Sequence, residues 1–90
     1  MAYINRLLGL NIDTAKAKEC ADKMGLWVLE SSADKMKIEF APTRSDILHP
    51  CDVVEDIGIG YGYNNIARVF PDTNTVGQFQ PNNKFTDLLR

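Results

Sequence analysis

Pro42-Thr43-Arg44-Ser45-Asp46-Ile47-Leu48-His49-Pro50-Cys51-Asp52-Val53-Val54-Glu55-Asp56-Ile57-Gly58-Ile59-Gly60-Tyr61 is the stretch on which the reading of this chain turns. Pro50 suits a first helical position, where its missing N–H has no intrahelical partner to lose. A helix from Pro50 to about Tyr61 puts Val53, Val54, Ile57 and Tyr61 on one apolar face. Asp52, Glu55 and Asp56 then share the opposite face at i, i+3 and i+4, a span that a hard divalent cation can bridge, with Asp46 approaching from the loop before the helix. The plain alternative is a solvated acidic surface, in which Asp52 simply answers the helix dipole. Like charges at these spacings repel by a few tenths of a kcal/mol per pair unless a cation or basic partner offsets them, so both readings stay open. Gly58 and Gly60 each weaken the helix by about 1 kcal/mol relative to alanine, which implies either the close approach of another backbone or a weak helical end.

Upstream, Tyr3 to Leu8 reads as a short helix closed by Gly9. Asp13 or Thr14 offers the next N-cap, and Ala17, Cys20, Ala21 and Met24 mark one face of an amphipathic helix that Gly25 ends. Lys16, Lys18, Glu19 and Lys23 occupy its remaining, solvated surface. Leu26 to Glu30 and Met36 to Phe40 are strand-like, and the polar stretch Ser31 to Lys35 joins them into a hairpin. Met36, Ile38 and Phe40 are expected to pack on the second helix while Lys37 and Glu39 face water. Tyr61 and Tyr63, on either side of Gly62, read as core anchors at the end of the third helix. Two helices followed by a hairpin resemble a winged helix-turn-helix, an α+β fold that by itself decides nothing about function.

Ninety residues hold one core of modest size. A composition of 44% apolar and 24% charged residues is that of an ordinary globular domain. The formal net charge of -2 gives no electrostatic reason for phosphate binding. Cys20 and Cys51 lack metal-type spacing and read as reduced thiols of a cytoplasmic protein, and His49 is the single histidine, which leaves little basis for a catalytic cysteine. No apolar run is long enough for a signal peptide or a membrane span.

The segment Pro42-Thr43-Arg44-Ser45-Asp46, followed by Cys51-Asp52-Val53-Val54-Glu55-Asp56 and Tyr61-Gly62-Tyr63-Asn64-Asn65-Ile66, resembles the motif of the B5 domain of the phenylalanyl-tRNA synthetase β subunit in its archaeal and eukaryotic cytosolic form. Tyr3-Ile4-Asn5-Arg6-Leu7-Leu8-Gly9 and Gly25-Leu26 resemble the opening of that domain, and Gln78 to Arg90 resembles the start of the catalytic-like domain that follows it. The resemblance implies a compact α+β domain, helix-turn-helix-like and of the architecture that elsewhere binds DNA, within a β chain that pairs with a catalytic α chain. It implies a role in the ATP-dependent attachment of phenylalanine to tRNA(Phe), with the adenylate formed in the α subunit and no catalytic residue here. It also assigns magnesium (Mg2+) to four carboxylates that match Asp46, Asp52, Glu55 and Asp56. On this reading residues 1–68 are the B5-type domain, 69–81 a linker and 82–90 the cut-short start of the next domain. The departures are Gly58 and Gly60, where the family usually has alanines, and Pro50 in place of a small residue. The rival functions are an independent nucleic-acid-binding winged-helix module and a protein-interaction scaffold. The first needs converging basic residues, whereas Arg6, Lys16, Lys18 and Lys23 are balanced by Asp13, Glu19 and Asp22.

Overall fold

Local chemistry sets several of the helix ends. In the computed structural model, which describes residues 1–90, α1 runs over Ala2–Leu8 and is closed by Gly9 at φ 65°, a left-handed conformation that glycine adopts without a Cβ penalty. The Asp13 carboxylate accepts the Lys16 N–H at 2.8 Å and starts α2, Thr14–Lys23. Helix α3 spans Pro50–Tyr61, as its pattern predicts, and a short 3-10 turn follows at Tyr63–Asn65. Between α2 and α3 lie strands β1, Trp27–Ser31, and β2, Met36–Glu39, paired antiparallel. The mixture of helices with one two-stranded hairpin is the expected α+β class.

The core is small: Ile4, Cys20, Ala21, Leu26, Ile47, Val54 and Ile57 form one buried cluster, joined at its margin by Leu8, Met24, Val28, Ile38, Val53 and Tyr61. Ala17, Cys20 and Ala21 give α2 a flat face, against which α3 lies closely. This contact explains Gly60. A Cβ there would stand well under 3.0 Å from the Cys20 carbonyl oxygen, so the backbone approach, not a weak helical end, is the reason for the glycine.

Two expectations need correction. The hairpin meets α2 through β1, not β2. Met36, Ile38 and Phe40 instead line an apolar groove of about 520 Å³ with Tyr3 and Ile4 of α1 and Val53 of α3, and Phe40 stays 38% exposed. The hairpin also carries a bulge: Val28 pairs with Ile38, but Glu30 pairs with Lys37, which leaves Leu29 unpaired. Finally, Tyr61 joins the margin of the core, whereas Tyr63 is 52% exposed and lies over Gly58 rather than anchoring the interior.

Beyond Ile66 no regular element forms until α4, Pro81–Leu89, and α4 touches no other element. The radius of gyration, 18.8 Å, accordingly exceeds the roughly 12 Å of a compact chain of this length. Phe85, Leu88 and Leu89 form an apolar stripe on α4 that is open to solvent. A helix of this length without tertiary contacts is marginal in water. Backbone order parameters are therefore expected below about 0.6 from Phe70 to Arg90 and near about 0.85 in α2. Uniformly high values to Arg90 would contradict the absence of packing.

Candidate functional site

Arg44 is the centre of the motif region. Its Nε and Nη2 donate to the two oxygens of Asp46 at 3.1 and 3.0 Å, and Nη2 also donates to Asp56 Oδ2 at 2.6 Å. Nη1 reaches the Met24 carbonyl at 3.3 Å, so one guanidinium joins the end of α2, the loop before α3 and the body of α3. The Arg44 and Asp56 side chains are 28% and 8% exposed, while Asp46 remains 65% exposed. Asp56 thus does not share the solvent face assigned to it above. It lies one turn from Val53 and beside Ile57, at the edge of the buried stripe, where its charge requires a partner. The Asp46 and Asp56 carboxylates raise the Arg44 pKa, and Arg44 in turn holds the Asp46 carboxyl below its ordinary range.

Asp52 has a different occupation. Its Oδ2 accepts the backbone N–H groups of Leu48 at 2.9 Å and His49 at 2.8 Å, while His49 Nδ1 accepts the Cys51 N–H at 3.2 Å. The two residues form a capping box at the start of α3. Accepting that bond places the imidazole proton on Nε2. Cys51 Sγ sits 3.2 Å from the same Nδ1, so the lone histidine does adjoin a cysteine, but as a cap already in use. Glu55, the fourth carboxylate, is exposed on α3.

Asp46, Asp52, Glu55 and Asp56 were assigned to magnesium through the family resemblance. Their arrangement does not fit one ion. No three His, Cys, Asp or Glu side chains gather as a metal-holding group, and three of the four carboxylates are occupied by Arg44 or by backbone N–H donors. Residue spacing could not reveal this, because the helix repeat that places Asp56 near Asp52 says nothing of the loop arginine that claims it. The Arg-x-Asp pair at Arg44 and Asp46 was the available signal. Asn5 was also missed: its side chain clamps the Ile12 backbone through both N–H and C=O, at 3.0 and 3.1 Å.

With this geometry in place, comparison with known proteins is direct. Residues 1–63 match the tRNA synthetase B5 domain family, a match that takes in α1, the hairpin, the Arg44 cluster and α3. The chain belongs to that family. This B5 domain is 41% identical over 88 residues to the phenylalanine–tRNA ligase beta subunit of Methanocella arvoryzae, covering 98% of this chain and 16% of that protein. It is 43% identical over 88 residues to the protein of that name from Dictyostelium discoideum, covering 97% of the chain and 14% of the relative. The corresponding mouse protein is 39% identical over 88 residues, at 97% and 15% coverage. The chain therefore spans about a sixth of the length of these archaeal and eukaryotic relatives.

Acid should expose the structural roles of these carboxylates. Asp46 and Asp52 are both held below the ordinary carboxylate range, the first through Arg44 and the second through the Leu48 and His49 N–H groups. Glu19 is lowered to about 2 by Lys16 and then Lys23. A carboxyl with a depressed folded pKa contributes stability that is full above its unfolded pKa and is lost as pH falls through the folded one. These groups should leave the urea midpoint flat above about pH 5 and lower it progressively below about pH 4. Asp52→Asn should make the acid limb shallower, with Asp46 and Glu19 supplying the remainder. An unchanged limb would contradict the cap.

Proposed function

We propose that this B5 domain is a non-catalytic module of a phenylalanine–tRNA ligase β subunit, supporting the assembly of an enzyme that attaches phenylalanine to tRNA(Phe) at the expense of ATP in the cytoplasm. The observation that supports this most is the inward use of the motif. Arg44 bonds to Asp46, to Asp56 and to the Met24 carbonyl, and Asp52 bonds to the backbone at the start of α3, so these side chains are spent on joining and capping helices rather than on a substrate. The partners on this reading are the catalytic α subunit and the other β-subunit domains, with residues 69–81 as the linker and 82–90 as the start of the domain that follows. No helix is long and apolar enough to cross a membrane.

The test uses the full-length β chain coexpressed with its α chain. Arg44→Met is expected to lower the yield of the α–β complex while leaving the charging rate per assembled complex, and the KM values for phenylalanine and ATP, within about twofold of wild type. A fully assembled complex that has lost turnover would overturn the assembly role. The 90-residue chain alone should show no phenylalanine-dependent ATP–pyrophosphate exchange. Its affinity for tRNA or duplex DNA should stay at about 10⁻⁴ M or weaker at physiological salt, the non-specific level. Submicromolar binding that resists salt would favour the winged-helix alternative.

A further inference from the structure

We infer that Arg44 is the resident cation of the acidic motif, in the place that the family resemblance gives to magnesium, and that this chain holds no magnesium on Asp46, Asp52, Glu55 and Asp56. Donor chemistry carries the inference. Magnesium needs near-octahedral oxygen ligands at about 2.0–2.1 Å and usually takes one or two carboxylates together with waters. Both oxygens of Asp46 already accept from Arg44, and Asp56, almost wholly buried, accepts from the same Nη2 at 2.6 Å. An ion bridging Asp46 and Asp56 would have to displace a guanidinium that itself sits within direct bonding distance of both, and would strip the Met24 carbonyl of its donor. Asp52 is pinned at the first turn of α3, its Oδ2 accepting two backbone N–H groups and its Oδ1 facing the Cys51 thiol at 3.8 Å, so only Oδ1 could turn to an ion. Glu55 alone lacks a competing partner, and one exposed carboxylate in water is a diffuse attraction that salt screens.

The inference stands apart from the ligase reading, since it concerns only what neutralises four side chains. Its test is a titration of the folded chain with manganese(II) as a paramagnetic substitute for magnesium, followed through backbone amide line widths at constant ionic strength. With Arg44 as the cation, the amides of Asp46, Asp52 and Asp56 broaden no more than those of Asp34 and Asp72, which lie on exposed loops. Magnesium in excess then shifts their resonances no further than matched sodium chloride does. Saturable broadening centred on Asp46 and on Asp52 to Asp56 at stoichiometric manganese, reversed by magnesium, would overturn the inference.

Discussion

Replacing Arg44 with methionine is expected to lower the thermal midpoint by on the order of 10 °C. Arg44 is the common partner of Asp46, Asp56 and the Met24 carbonyl, and Asp56 is the only charged side chain in the buried set. Without the guanidinium, Asp56 keeps its burial and loses its counter-charge, which is the circumstance in which breaking an ion pair costs most. Asp46→Asn should do far less, because Asp46 is 65% exposed and its bond to Arg44 competes with water. Circular dichroism melts of the two variants check this ordering. Equal losses would place the energy in the exposed half of the cluster.

Gly60→Ala is the second large effect. Alanine normally improves a helix over glycine by about 1 kcal/mol, so propensity alone predicts a gain. The Cβ would instead overlap the Cys20 carbonyl oxygen, and backbone cannot swing aside as a side-chain tip can. Forcing α2 and α3 apart should cost about 1–3 kcal/mol, in the range of overpacked cores. Gly58→Ala is the control. The atoms nearest its Cβ would be Leu8 Cδ2 and the hydroxyl and Cζ of Tyr63, the ends of side chains that can move, so its effect should fall within about 1 kcal/mol of wild type. Urea unfolding of both variants gives the comparison, and a stabilised Gly60→Ala would show that the helices have room to separate.

How far the chain could be read in advance varied with the kind of signal. The second and third helices were legible because Ala17, Cys20 and Ala21 recur at helical spacing and Pro50 marks a start. The hairpin was legible as two strands, but the bulge at Leu29 was not, since nothing in Trp-Val-Leu-Glu-Ser distinguishes a regular strand from one carrying an extra residue. At the motif, residue types and positions were visible while their pairing was not. Helical spacing groups Asp56 with Asp52 and Glu55 on the face opposite the apolar one, yet the loop folds Arg44 back over it. The His49 cap was hidden for a related reason: Ser, Thr, Asp and Asn dominate N-caps, and a His-Pro-Cys-Asp run does not advertise one.

The central claim, that the acidic motif is a clasp closed from within by Arg44, is tested most directly by a double-mutant cycle on Arg44 and Asp56. Urea midpoints would be measured for Arg44→Met, Asp56→Leu and the double variant. If the two side chains act as one buried pair, each single change lowers the midpoint, and the double variant, with no charge left buried, unfolds no earlier than Arg44→Met and recovers part of the loss. Strictly additive losses would mean that Arg44 and Asp56 stabilise the fold independently, and would contradict the clasp.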